Sequence, residues 1–201
     1  MLLEVTKKWN LIFFMELLEK EIEALVLKSQ KGDQEAFAQI YDVYITPIYR
    51  YIFYKVSDHD VEDLTEVLFL KAWENIRKYK KRKNTTFKSW LFRIAHNLVV
   101  DHYRLNREHA SLDPWISDTK KEADPMRLTQ DSLNNEQLKF AISKLKRGYQ
   151  QVLILKFIND LSNTEISNVL KKSEGSVRIL QFRALRALKS ELTDMGINTY
   201  E

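Results

Sequence analysis

Cysteine is absent from the 201 residues, and glycine and proline are scarce, at four and three. Without cysteine there is no disulfide framework, no thiolate metal site and no thiol nucleophile, which argues against redox chemistry and fits a reducing cytoplasm. So few turn formers disfavour a sheet protein, while abundant Leu, Lys, Glu, Ile and Ala favour long helices. A long apolar run is lacking too. Leu11 to Met15, followed by Leu17 and Leu18, is too short to span a bilayer and has no small-residue cleavage site behind it. We expect neither membrane insertion nor a signal peptide, and Met15 serves as a start as well as Met1 does, which would make residues 1–14 an extension.

What the chain does have is positive charge in two blocks. The totals, 32 Lys and Arg against 28 Asp and Glu, leave only +4. From Arg77 to Arg107, however, Arg77, Lys78, Lys80, Lys81, Arg82, Lys83, Lys88, Arg93, Arg104 and Arg107 face Asp101 alone. From Lys171 to Lys189, Lys171, Lys172, Arg178, Arg183, Arg186 and Lys189 face only Glu174. The segment between is acidic, with Glu108, Asp113, Asp118, Glu122, Asp124, Asp131 and Glu136. Two basic modules divided by a repelling spacer suit two contacts with one polyanion.

Apolar spacing organises the rest, and 44% hydrophobic residues suffice for real cores. After Gly32-Asp33, the residues Phe37, Ile40, Tyr41, Tyr44, Ile48, Ile52 and Phe53 recur at helical intervals, with a break expected near Pro47. Asp58 is placed to cap the next helix, whose stripe is Val61, Leu64, Leu68, Ala72 and Ile76 with Trp73 beside it. A third helix from Thr85 or Thr86 should bury Trp90 or Leu91, then Ile94, Leu98, and His102 or Tyr103. Periodicity fades from 106 to 134, where Pro114 and Pro125 mark a linker. Beyond it Leu138, Ile142, Leu145, Val152, Leu153, Leu155 and Phe157 rebuild a core. The expected fold is all-α, two small helical domains joined by a flexible linker. The units are an extension 1–21, a bundle 22–105, the linker 106–134, a second domain 135–192 and a tail 193–201.

Ser162-Asn-Thr-Glu165 is a capping box for a short helix, and a turn through Lys172 to Gly175 launches a longer basic one from Ser176. That is the layout of a DNA-reading helix-turn-helix. At about 100° per residue, Val177, Leu180, Ala184 and Leu188 share the packed side. Arg178, Ile179, Phe182 and Arg186 take the other, flanked by Arg183. Arginine pairs bidentately with guanine and Phe packs on a thymine methyl, so this face suits a major groove better than water. In the first module Phe87, Trp90, Phe92 and Tyr103 interleave with Lys88, Arg93, Arg104 and Arg107, as single-stranded DNA requires, although Trp90 and Phe92 taken singly suit a core equally well and the lysines alone suit a solvated face. Each exposed base can stack for ~1–3 kcal/mol while cations hold phosphates.

The run from Asp60-Val-Glu-Asp-Leu-Thr through Phe69-Leu-Lys-Ala-Trp73 to Phe87-Lys-Ser-Trp-Leu-Phe-Arg-Ile-Ala-His-Asn-Leu98 resembles region two of extracytoplasmic-function RNA polymerase sigma factors. Leu161-Ser162, Glu165-Ile166 and Gly175-Ser-Val-Arg-Ile-Leu-Gln-Phe-Arg-Ala-Leu185 resemble region four of the same family. The resemblance implies contact between core polymerase and Asp60, Asp63, Glu66, Phe69 and Trp73, chiefly at the clamp helices of the largest subunit, with a further contact at the flap. It implies minus-ten recognition and melting by Lys80, Lys81, Arg82, Lys83, Lys88, Trp90, Arg93, Asn97, Asp101 and Arg104. Minus-thirty-five reading would fall to Ser176, Arg178, Phe182, Arg183 and Arg186. Promoter DNA and core polymerase are the implied partners, many relatives also have an anti-sigma factor, and no cofactor is implied. The chain departs from the family pattern at Glu66-Val67, where Gln-Glu or Gln-Asp is usual, and at Phe182, where His or another polar residue is common.

A linker of residues 106–134 has a relaxed span of about 30 Å and a stretched one of roughly 95 Å, whereas promoter elements two helical turns apart are separated by about 70 Å. The free protein should rarely hold both modules at that distance, so specific DNA binding should require core polymerase. Catalysis lacks a constellation: Asp60, Glu62, Asp63 and Glu66 spread around their helix, and His96 and His102 face different sides. A stand-alone helix-turn-helix regulator explains residues 135–192 equally well but leaves the aromatic basic helix without a purpose.

Overall fold

Proline does not stop the second helix. The computed structural model describes residues 19–110 and 130–197, with side chains for 19–105 and 136–197. The apolar start, the two candidate initiator methionines and most of the acidic linker lie outside these residues. Helix α1 covers 19–30, and α2, Gln34–Phe53, runs unbroken through Pro47. Asp33 caps α2, its side chain accepting from the Ala36 amide at 3.0 Å. Pro47 costs α2 one backbone hydrogen bond, and burial of Tyr44, Ile48, Tyr51 and Ile52 on the same stripe outweighs it.

Asp58 does not cap the next helix. It opens a 3₁₀ turn, Asp58–Asp60, and pairs with Lys139, while α3, Val61–Asn75, begins behind Asp60 without a side-chain cap. Val61, Leu68, Ala72 and Ile76 are buried as their spacing requires. Helix α4, Phe87–Ala110, is wrapped on two sides, so Phe87, Leu91, Phe92, Ala95, Leu98 and Val99 are all buried and Trp90 and Ile94 only partly so. Phe92, read from sequence as a base-stacking candidate, is a core residue, edge-on to Tyr51 at 5.6 Å.

The second lobe is α5, Gln130–Lys144, α6, Arg147–Leu153, α7, Asn163–Leu170, and α8, Glu174–Asp194. Between α6 and α7 the chain widens into a π turn, Ile154–Ile158. That extra residue rotates Phe157 out of the core position its spacing implied and leaves it exposed. The Ser162–Glu165 capping box forms. Gly175 is not the turn residue. Lys171 takes the left-handed conformation at φ 53°, Ser173 caps α8, and Gly175 lies within its first turn.

The lobes do not stand apart. Helix α7 packs along α4, and the π turn meets α2, so one apolar core runs through both lobes. A tether treated as a featureless coil omits this attraction. The acidic spacer bears on reach, and the buried surfaces decide the resting arrangement.

Candidate nucleic-acid interface

In α8, Val177 and Ala184 are fully buried and Leu180 and Leu188 partly so, which fixes the helix's rotation. Ser176, Arg178, Ile179, Phe182, Arg183 and Arg186 are exposed on the remaining face. Arg178 reaches back to Glu174 at 3.2 Å, and Glu174 accepts from the Thr164 hydroxyl at 2.8 Å, so one cation is tied to α7. Gln181 donates to Asn163 at 2.8 Å and completes the brace between the two helices.

The loop before α4 is cationic and tightly shaped. The Thr85 hydroxyl bonds both the amide and the carbonyl of Arg82, and Asn84 adopts φ 65°, a conformation its residue type tolerates. Thr86 and Ser89 cap α4 reciprocally, at 3.1 and 3.2 Å. Lys80, Arg82 and Lys83 point to solvent, while Lys81 is paired with Glu23. A cavity of about 480 Å³ opens beside the loop, lined by Tyr79, Arg82, Trp90, Arg93, Asn97 and Asn168 among others. Trp90 is held there by Tyr79 and Phe87, with ring centres 5.2 and 5.1 Å away. Burial, and then the Glu23 carboxylate, push the Tyr79 phenol up to about 12. Asn97, Asp101 and Arg104 follow along the exposed edge of α4, the last two 3.9 Å apart. Cations around a partly open indole can hold phosphates while a base stacks.

Part of this loop is already engaged by the second lobe. Thr86 donates to the Glu165 carboxylate at 2.7 Å, Lys88 donates to the Asp160 carbonyl at 3.3 Å, and Asn168 donates to the Asn84 carbonyl. Glu165 is 9% exposed and also accepts from the Ser162 amide and hydroxyl. Farther along, Lys55 is 5% exposed and donates to Gln150 at 3.2 Å, and Arg147 covers the Tyr103 ring at 4.9 Å. Burial, with the neighbouring Arg147 charge, brings the Lys55 ammonium down to about 8. Burial lowers His96 as well, helped by Lys55 and Arg93.

On α3, Asp63 and Glu66 are exposed. Asp60 instead turns inward to Ser57 and lies 3.5 Å from both His59 and His102. Phe69 is buried and packs tilted against Tyr41 at 4.6 Å, and Trp73 lies edge-on to Phe37 at 5.0 Å. Phe69 builds the lobe and offers no surface, whereas Trp73 is only partly buried. Val67, noted in sequence only as a departure from the family pattern, and Leu70, which sequence reasoning passed over, are exposed beside Glu66, off the buried stripe. Among the described residues no cluster of His, Asp and Glu could hold a metal, and no helix is long and apolar enough to cross a membrane.

Two helical lobes, one a helix-turn-helix and the other carrying a cationic aromatic helix, define a bipartite DNA-binding protein. The family model for Sigma-70 region 2 matches residues 40–109, and that for Sigma-70, region 4 matches 135–188. The chain is 35% identical to the ECF RNA polymerase sigma factor BldN of Streptomyces coelicolor, over 85% of its own length and 65% of BldN's. It is 30% identical to the ECF RNA polymerase sigma factor SigW of Bacillus subtilis, over 89% of its length and all of SigW. The sigma factor RpoE of Bartonella quintana, solved with the anti-sigma factor NepR, shares the fold at a TM-score of 0.68 and 20% identity, over 78% of this chain and 96% of that one. The chain belongs to the extracytoplasmic-function sigma factors of the sigma-70 family, and promoter-specific initiation of transcription is its function. The match to region 2 as well as region 4 disfavours a stand-alone helix-turn-helix regulator.

Proposed function

We propose that this chain binds core RNA polymerase through the exposed acidic and apolar face of α3, around Asp63 and Glu66, and acts in the cytoplasm by binding alone, without chemistry of its own. Residues 22–105 and 135–192 work as separate modules on DNA. Helix α8 enters the major groove of the minus-thirty-five element, with Arg178, Phe182, Arg183 and Arg186 at base edges and Ser176 near the backbone. The Lys80–Thr86 loop and the α4 edge from Trp90 to Arg104 take up the opened minus-ten strand. Capturing a few bases at ~1–3 kcal/mol each offsets a few melted steps of about 1.4 kcal/mol.

The observation that supports this most is the exposed apolar and cationic face of α8, in the same chain as a second cationic surface built around a partly open indole. An anti-sigma factor is a further proposed partner, by likeness to the complexed RpoE. Specific binding requires core polymerase, because the packed lobes cannot reach elements about 70 Å apart. Footprinting and run-off transcription test this: both elements should be protected, and transcript made, only when core is present. Strong protection of both elements by the isolated chain would refute it.

A further inference from the structure

Ile179 and Phe182 are the most exposed of three large apolar side chains that the fold leaves unused on α8, the third being Leu185 at 44%. Ile179 is 55% exposed and Phe182 68%, the highest value among the large hydrophobic side chains of the described residues. Three positions apart on a helix, they stand side by side. Their direction is not adjustable, since Val177 and Ala184 lock the opposite face into the core. One turn earlier Gly175 occupies the same face without a side chain, with the Ser173 hydroxyl 4.0 Å from where a Cβ would stand, so the start of the helix does not screen Ile179. Arg183 and Arg186, beside the pair, make no hydrogen bond or ion pair among the described residues, whereas Arg178 is drawn toward Glu174.

The edges of base pairs in the major groove present donors and acceptors, and the thymine C5-methyl is the apolar group that projects among them. An isoleucine pressed onto a donor or acceptor would strip its water and leave it unpaired, a net loss. Pressed onto a methyl group, it removes apolar surface from water on both sides. The pair is separated by roughly 4.5 Å along the helix, close to one base-pair rise of about 3.4 Å. We infer that Ile179 is a specificity-determining residue which, together with Phe182, selects neighbouring thymine methyl groups in the upstream promoter element. The inference rests on the sigma-factor reading of α8 as a groove helix.

The test uses holoenzyme reconstituted with core polymerase and a promoter it selects from random DNA. Each thymine of the upstream element, on either strand, is replaced singly by deoxyuridine, which keeps every hydrogen-bonding group and loses only the methyl. Binding should weaken about three- to five-fold at one or two of these positions. At the position assigned to Ile179, holoenzyme carrying Ile179→Ala should show no further loss. Silence at every deoxyuridine, an upstream element without thymine, or a full deoxyuridine penalty everywhere in the Ile179→Ala holoenzyme would overturn the inference. So would weaker core binding by the Ile179→Ala chain in the absence of DNA, which would assign the pair to a protein contact. Selection of no upstream element at all would refute the proposed function itself.

Discussion

Helices α8 and α4 are both basic, and both carry aromatic rings, yet they stand in opposite situations. The proposed reading face of α8 is open to solvent from Ser176 to Arg186. The start of α4 and the loop before it are bonded through Asn84, Thr86 and Lys88 to the other lobe. A helix-turn-helix presents its face once its own short core is made, because α7 and α8 brace each other. The cationic aromatic surface belongs to a lobe whose flank also serves as the resting seat of its neighbour. On the proposed function, the resting chain therefore holds one DNA surface open and the other partly occupied.

The largest effect bearing on this contrast comes from the open side. Replacing Arg183 and Arg186 together by alanine should cut run-off transcription about a hundredfold while core binding persists, since each lost base contact is worth about 1–3 kcal/mol. Comparable loss of core binding would show that α8 is not primarily a DNA surface.

Lys55 tests the closed side. The packed form holds its ammonium less readily than an unfolded chain does. The penalty, on the order of 3 kcal/mol, is therefore complete below about pH 8 and is relieved as pH rises from there toward the ordinary lysine value. Lys55→Met should raise the thermal midpoint at neutral pH by roughly 5 °C and flatten the pH dependence between about 8 and 10. It should also reduce transcription by favouring the closed form. A lower midpoint would mean that the bond to Gln150 matters more than the buried charge.

Smaller changes probe the seat itself. Ser162→Ala removes the two hydrogen bonds its hydroxyl makes with Glu165, one to the carboxylate and one from the amide, and should cost about 1 kcal/mol, read as faster amide exchange in α7. Asn168→Ala removes one bond to the loop and should cost less, loosening the lobes with helix content unchanged. If its effect exceeded that of Ser162→Ala, the loop and not the α7 cap would be the main latch.

Legibility in the sequence tracks the range of the interactions. The faces of α8 and the Ser162–Glu165 box were legible because both depend on residues within a turn of each other. Pro47 inside α2, Phe157 on the π turn and left-handed Lys171 were not. In each, distant packing or a one-residue register change overrides a local rule. Phe69 and Phe92 have residue types and neighbours that suit a binding surface, and only the helices packed over them reveal core positions. The bonds of Thr86 to Glu165 and Lys55 to Gln150 join residues 79 and 95 positions apart, where sequence spacing carries no signal.

The central claim is that the lobes rest together and part on the promoter. Since the chain has no cysteine of its own, Glu74→Cys in α3 and Lys189→Cys in α8, both exposed, can carry a pair of spin labels without background. The distance between them should be short and narrowly distributed in the free chain, and longer by tens of ångströms in promoter-bound holoenzyme. The same distance in both states would contradict the account.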